Sequence, residues 1–155
     1  METSLEPAKG HQGELETLLR QVEASGVIDV DARKEIAHIR QEAGHRFAVL
    51  GANRSVVGYV TGRFSGDAPG ITLPTTAKAA FISLILIAPE SQGAGHGRRA
   101  VLTFAHKARA ASGATHIGLR LDETEPVEPR RLKFVRMGFE FADAGPYGWA
   151  AISDL

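Results

Sequence analysis

The sequence predicts an α/β fold, a mixed sheet covered by helices, and three observations predict it. Strand-like segments first run as a block and then alternate with helical ones. Residues 84 to 113, LILIAPESQGAGHGRRAVLTFAHKARAASG, read as a strand, a glycine-rich turn and a helix. The 155 residues, 43% of them hydrophobic, suit one ordinary core, so a single domain over residues 1–155 is expected.

The elements follow in order. Residues 1 to 10 carry Pro7 and Gly10 with few apolar groups, and form either a loose tail or a short first strand. Leu15, Leu18, Leu19 and Val22 recur at helical spacing up to Ser25-Gly26. Ile36 and Ile39 mark a second helix that starts near Asp31 and stops at Gly44. Phe47 to Leu50 and Val56 to Phe64 are strands joined by the short connection Gly51-Ala52-Asn53-Arg54. Ser65 to Thr76, with Gly66, Asp67, Pro69, Gly70 and Pro74, is loop material before the strand Ala79 to Ile87. Val101, Phe104, Ala105 and Ala108 give the next helix an apolar face, and Gly113 stops it. Ile117, Leu119 and Leu121 alternate with Gly118 and Arg120 as a strand, and Pro129 lies just inside the following helix. Two short strands, near Phe139 to Ala142 and Tyr147 to Ile152, finish the order.

Composition narrows the function classes. Eighteen basic and eighteen acidic residues cancel, so overall charge indicates neither a nucleic-acid partner nor an acidic membrane surface. The absence of cysteine excludes disulfides, thiol catalysis and cysteine metal sites, and no metal is implied. The N-terminus is polar and acidic, and the longest apolar run falls far short of the ~20 residues of a membrane span. A cytoplasmic enzyme is the expectation.

The turn at Gln92-Gly93-Ala94-Gly95-His96-Gly97 has the makings of an anion site. Its glycines let the backbone take positive φ and approach a ligand, while the N–H groups and positive end of the helix face the same spot. A Walker loop would end in Gly-Lys-Ser/Thr, whereas Gly97 is followed by Arg98 and Arg99. A dinucleotide fingerprint would read G-x-G-x-x-G, whereas the spacing here is G-x-G-x-G, and Asp122 lies too far along to serve as its acid. The run instead resembles the coenzyme A pyrophosphate loop of the GNAT acyltransferases, whose pattern is Q/R-x-x-G-x-G/A and is filled by Gln92, Gly95 and Gly97. Ile87-Ala88-Pro89-Glu90 matches that family's strand ending. Arg131 to Phe139 looks like its late helix, which ends in Gly-Phe with Gly138 as the stop.

The resemblance covers roughly residues 46 to 155 and implies a GNAT fold, a central, mostly antiparallel, twisted sheet with helices on both faces. It also implies acetyl-CoA, or another short acyl-CoA, as co-substrate and a primary amine of a small molecule or peptide as acceptor. By position, backbone groups of Leu86 and Ile87 would hold the pantetheine arm. Gln92, Gly93, Ala94, Gly95, His96, Gly97 and Arg98 would hold the pyrophosphate, with Arg99 a further candidate for pairing with a phosphate. A homodimer is left open.

Two of the family's side-chain roles are filled differently here. Its tyrosine near the coenzyme A sulfur corresponds to Phe134, which has no proton to give, and its general-base glutamate corresponds to Ser83, which cannot be that base alone. Asp122, Glu123 and His116, around the strand after the helix, are the remaining acid–base candidates. Tyr59, Arg63, Tyr147 and Trp149 are the aromatic and polar groups that could line the acceptor pocket. A non-catalytic acyl-CoA sensor or interaction module of the same fold is the alternative that Ser83 and Phe134 leave open.

Overall fold

The stripe Leu15, Leu18, Leu19 and Val22 becomes the buried side of α1 (Gln12–Ser25) in a computed structural model, which describes residues 3–66, 68, 73–74, 77–121, 127–141 and 145–155. Gly26 closes α1 in the left-handed region, φ 67°, and its N–H donates to Glu23 O. Asp31 caps α2 (Ala32–Arg40) by accepting from Lys34 N–H. This helix ends well before Gly44, the stop expected from sequence. Glu42 takes the left-handed conformation instead, φ 53°, its N–H bonding Ile39 O while Ala43 N–H reaches His38 O. That is the Schellman pattern with a glutamate where glycine is usual, and Gly44, φ 65°, only turns the chain into the next strand.

Residues 4 to 7, a tail or a strand by sequence, are the strand β1 (Ser4–Pro7), antiparallel to β2 (His45–Leu50) with Leu5 opposite Val49. After β2, Asn53 and Arg54 adopt positive φ and Gly51 N–H bonds Ser55 O at 2.9 Å, which leads the chain into β3 (Val56–Gly66). The strand β4 (Ala79–Ile87) occupies the range expected for it, followed by α3 (His96–Ser112), β5 (His116–Arg120) and α4 (Val127–Met137). β6 (Glu140–Phe141) and β7 (Tyr147–Ala151) complete the sheet, Ile152 falling in a closing 3-10 turn. The seven strands are ordered β1-β2-β3-β4-β5-β7-β6. β4 and β5 are parallel over Ala79–Ile82 and His116–Leu119, and β7 is antiparallel to both β5 and β6.

Contacts group the chain into two compact units, residues 1–61 with 84–103 and residues 62–83 with 104–155. In the first, α1 and α2 bury Leu15, Leu19, Ile36 and Ile39 against Ala48, Leu50, Tyr59, Leu86 and Ala88. Tyr59 is 0% exposed, and its hydroxyl joins a network rather than solvent. Arg46 donates at 2.6 Å to both Glu35 and the Tyr59 hydroxyl, which itself donates to Glu35 at 3.0 Å. Arg46 Nε donates to Ala43 O and its Nη2 to His38 Nδ1. Burial, reinforced by the Glu35 carboxylate, pushes the Tyr59 phenol well above its ordinary value, so it stays protonated as a donor. In the second unit, Phe64 meets Phe104 edge-on at 5.2 Å, and Ala79, Phe81 and Trp149 form a separate buried cluster.

Two glycines let β3 press against β4. A Cβ at Gly58 would stand 2.5 Å from Leu86 O and 2.7 Å from Ile87 Cδ1, and one at Gly62 would run into Phe81 O. Backbone atoms cannot move aside as a side-chain tip can. Gly58→Ala is therefore expected to lower stability by about 2 kcal/mol, seen as a lower urea midpoint at unchanged slope. Arg46→Ala, which leaves Glu35 half of a broken, largely buried ion pair, is expected to cost about 3 kcal/mol in the same titration.

Candidate functional site

β4 hands the chain to α3 through a turn fixed at both ends. Ala88 N–H still bonds Val57 O at 2.7 Å, Pro89 opens a 3-10 turn through Ser91, and Gln92 is extended. The Gln92 amide folds back to donate to Ile87 O at 3.2 Å, closing the loop on the strand it left. Gly93 and Gly95 both take φ 85°, a conformation that side chains resist. α3 then begins at His96, with Arg99 N–H on Gly95 O as its first closed hydrogen bond.

The start of α3 differs from that of α2 in ways that bear on anions. At α2 the Asp31 carboxylate occupies the end of the helix. At α3 the preceding residue is Gly95, which has no side chain to accept anything, and the first turn holds no acid. The N–H groups of the first turn, which a helix leaves without internal acceptors, and the positive end of the dipole are thus open to a ligand. A Cβ at Gly93 would meet nothing within 4 Å, so the approach there is clear. Arg99 donates from Nη1 to Ala94 O at 3.2 Å and lies beside Gly95, where it holds the loop in shape. Arg98 is exposed and makes no ion pair among the described residues. This arrangement can receive an anionic group on backbone donors with Arg98 as counter-charge.

The other candidates fall in various places. Ile87 is half-buried and Leu86 is 2% exposed, side chain in the core. His96 is 7% exposed, and its Nδ1 pairs with Thr3 Oγ1 at 3.0 Å, so its ring is part of the packing beneath the turn. A Cβ at Gly97 would meet Ile87 Cγ1 at 3.7 Å, an ordinary contact. Ser83 is exposed on β4. His116 lies opposite Ala79, the first residue of β4, and so at the other end of that strand from the turn; its Nδ1 is 2.9 Å from Thr115 Oγ1. Asp122 and Glu123 lie outside the described residues.

Phe134 ends α4 with a second Schellman pattern. Phe139 N–H bonds Phe134 O, Gly138 N–H bonds Val135 O with Gly138 at φ 115°, and the two rings meet edge-on at 5.6 Å. The ring that stands in place of a tyrosine thus has a structural task of its own.

Of the four acceptor candidates, Tyr59 is corrected: fully buried with its hydroxyl committed, it has no surface for a ligand. Trp149 is 2% exposed and lies where a Cβ of Gly118 would be, while Arg63 and Tyr147 are half-buried around Phe81. Phe81, within an apolar run, and Arg120, between Leu119 and Leu121, stand beside them. Thr3 gave no signal, since its partner is 93 residues away.

Comparison with known proteins agrees with this architecture. No curated protein matches the sequence at a significant level. Among solved structures, an acetyltransferase from Thermus thermophilus superimposes with a TM-score of 0.70 at 19% identity, over 96% of this chain and 95% of that one. A GNAT-family acetyltransferase from Staphylococcus aureus gives 0.70 at 8% identity, over 97% and 99%. N-acetylglutamate synthase from Neisseria gonorrhoeae, solved with coenzyme A and N-acetyl-glutamate, gives 0.63 at 14% identity, over 98% of this chain and 35% of that one. At such identities these likenesses speak for the fold. The sequence itself matches the acetyltransferase (GNAT) family over residues 14–139, and the chain belongs to that family.

Proposed function

We propose that the protein is an acyl-CoA-dependent N-acyltransferase that moves an acetyl group, or another short acyl group, from coenzyme A to a primary amine by direct attack in a ternary complex. The observation that carries this reading is the acid-free, glycine-built start of α3, beside Arg98, in a chain of this family. Gly93 and Gly95 bring the backbone up to a pyrophosphate, the first-turn N–H groups bind its oxygens, and Arg98 neutralises the charge that remains. Backbone groups of Leu86 and Ile87, on the strand leading into the turn, line the acyl arm. The Neisseria synthase, whose structure holds coenzyme A, gives the reading a precedent within the fold.

The reaction balances without a protein nucleophile. The neutral amine attacks the thioester carbonyl, a C–N bond forms, the C–S bond breaks, and the amine's lost proton passes to solvent as the sulfur leaves. A thiol with a pKa of about 8.5 leaves tolerably unaided, which suits a chain whose Phe134 can give no proton. Ser83 cannot deprotonate the amine alone, so the main contribution of the protein is to hold the two substrates together.

Phe134 and Ser83 favour one second reading, an acyl-CoA-binding sensor of the same fold. Release of free thiol from acetyl-CoA against a panel of amines separates the two, because a sensor binds without turnover. Gly95→Val is expected to weaken acetyl-CoA binding at least tenfold by calorimetry while lowering Tm by only a few degrees. Unchanged affinity would overturn the assignment of the turn. Phe134→Tyr is expected to raise kcat for thiol release if the proton-donor position is vacant, and no gain means that water already fills the role.

A further inference from the structure

His96 stands at the head of α3 with its ring turned inward. It is the first residue of the helix, beside the glycine-built turn, yet it is 7% exposed. A ring nitrogen withdrawn from water needs a hydrogen-bond partner. For Nδ1 that partner is Thr3 Oγ1 at 3.0 Å, on the residue before β1 and 93 positions away in the chain. The ring is hemmed in at the neighbouring atom as well. A Cβ at Gly51, just past β2, would lie 3.2 Å from His96 Cε1 and 3.1 Å from Val57 Cγ1, so little room is left there. Thr3, Gly51, Val57 and His96 all belong to the first unit.

Holding the ring also holds the main chain that carries it. Arg99 N–H to Gly95 O is the first closed bond of α3, so the N–H groups of His96, Gly97 and Arg98 have no acceptor within the helix. Donors kept in place before a ligand arrives spare it the cost of ordering them. Two other side-chain bonds of the turn, Gln92 to Ile87 O and Arg99 to Ala94 O, each join residues five apart in the chain. The Thr3 bond instead secures the helix start from a distant segment.

We infer that Thr3 is a positioning residue of the acyl-CoA site, acting through the His96 ring to set the first N–H groups of α3 for a pyrophosphate. The inference rests on the reading of the turn given above and adds to it a residue that touches no part of the ligand. Without the hydroxyl, Nδ1 is left unpaired in a buried place. The ring regains a partner only by turning toward water, and the helix start moves with it.

The test compares acetyl-CoA with S-acetylpantetheine, which carries the same thioester but no pyrophosphate, by calorimetry with the full chain. Thr3→Val keeps the shape of the side chain and removes the hydroxyl. It is expected to weaken acetyl-CoA about 5- to 20-fold more than it weakens S-acetylpantetheine, whose binding also reports that the variant is folded. Thr3→Ser, which retains the hydroxyl, is expected to bring that ratio back to within about threefold of the unaltered protein. Equal loss for the two thioesters, unchanged acetyl-CoA affinity in Thr3→Val, or no recovery in Thr3→Ser overturns this inference and leaves the reading of the turn standing. An unaltered protein that binds acetyl-CoA no better than S-acetylpantetheine overturns the reading of the turn, and this inference falls with it.

Discussion

The constraint on which the structure depends is the tight approach of β3 to β4. At Gly58 and Gly62 the space for a side chain is already filled by the carbonyls of Leu86 and Phe81. These contacts fix β4 along its length, and β4 supplies much else. Its first residues pair with β5, and its last residue, Ile87, is where the turn begins and where the Gln92 amide returns. A bulkier pair of residues on β3 would push on backbone, not on movable side-chain tips.

The turn itself shows how a protein can keep a helix end open. α2 satisfies part of its own first turn with the Asp31 carboxylate. α3 does not; it places glycine where the cap would be and arginines where acids would be favourable. That choice leaves some helix stability unrealised, which an anion bound there, as proposed, would recover. Arg99 limits the cost by bracing the Ala94 carbonyl at 3.2 Å.

What the sequence made legible was local. The strand, turn and helix from Ala79 to Ser112 stand where apolar runs and glycine or proline punctuation put them, because each signal lies within a few residues of the structure that it specifies. The end of α2 was misplaced because two adjacent signals competed. Glu42 adopted the left-handed conformation that Gly44 was expected to supply, and only the hydrogen bonds from Ala43 and Glu42 reveal it. Tyr59 departs from expectation because its partners, Arg46 and Glu35, come from β2 and α2 and meet only once those elements pack. The meeting of Arg63, Phe81, Arg120 and Tyr147 was illegible for a similar reason. Alternation says which residues share a face of one strand, but not which strands become neighbours.

The bond between Thr3 and His96 ties together two parts of the chain that have separate duties. Thr3 directly precedes β1, the outer strand of the sheet next to β2, and His96 is the first residue of α3. Outer strands are where a sheet opens most readily. When β1 lifts away, the His96 ring loses its hydrogen-bond partner and the helix start loses part of its footing. Local opening at the sheet margin therefore removes one support of the turn. An anion that steadied the turn would by the same bond steady the residue that leads into β1.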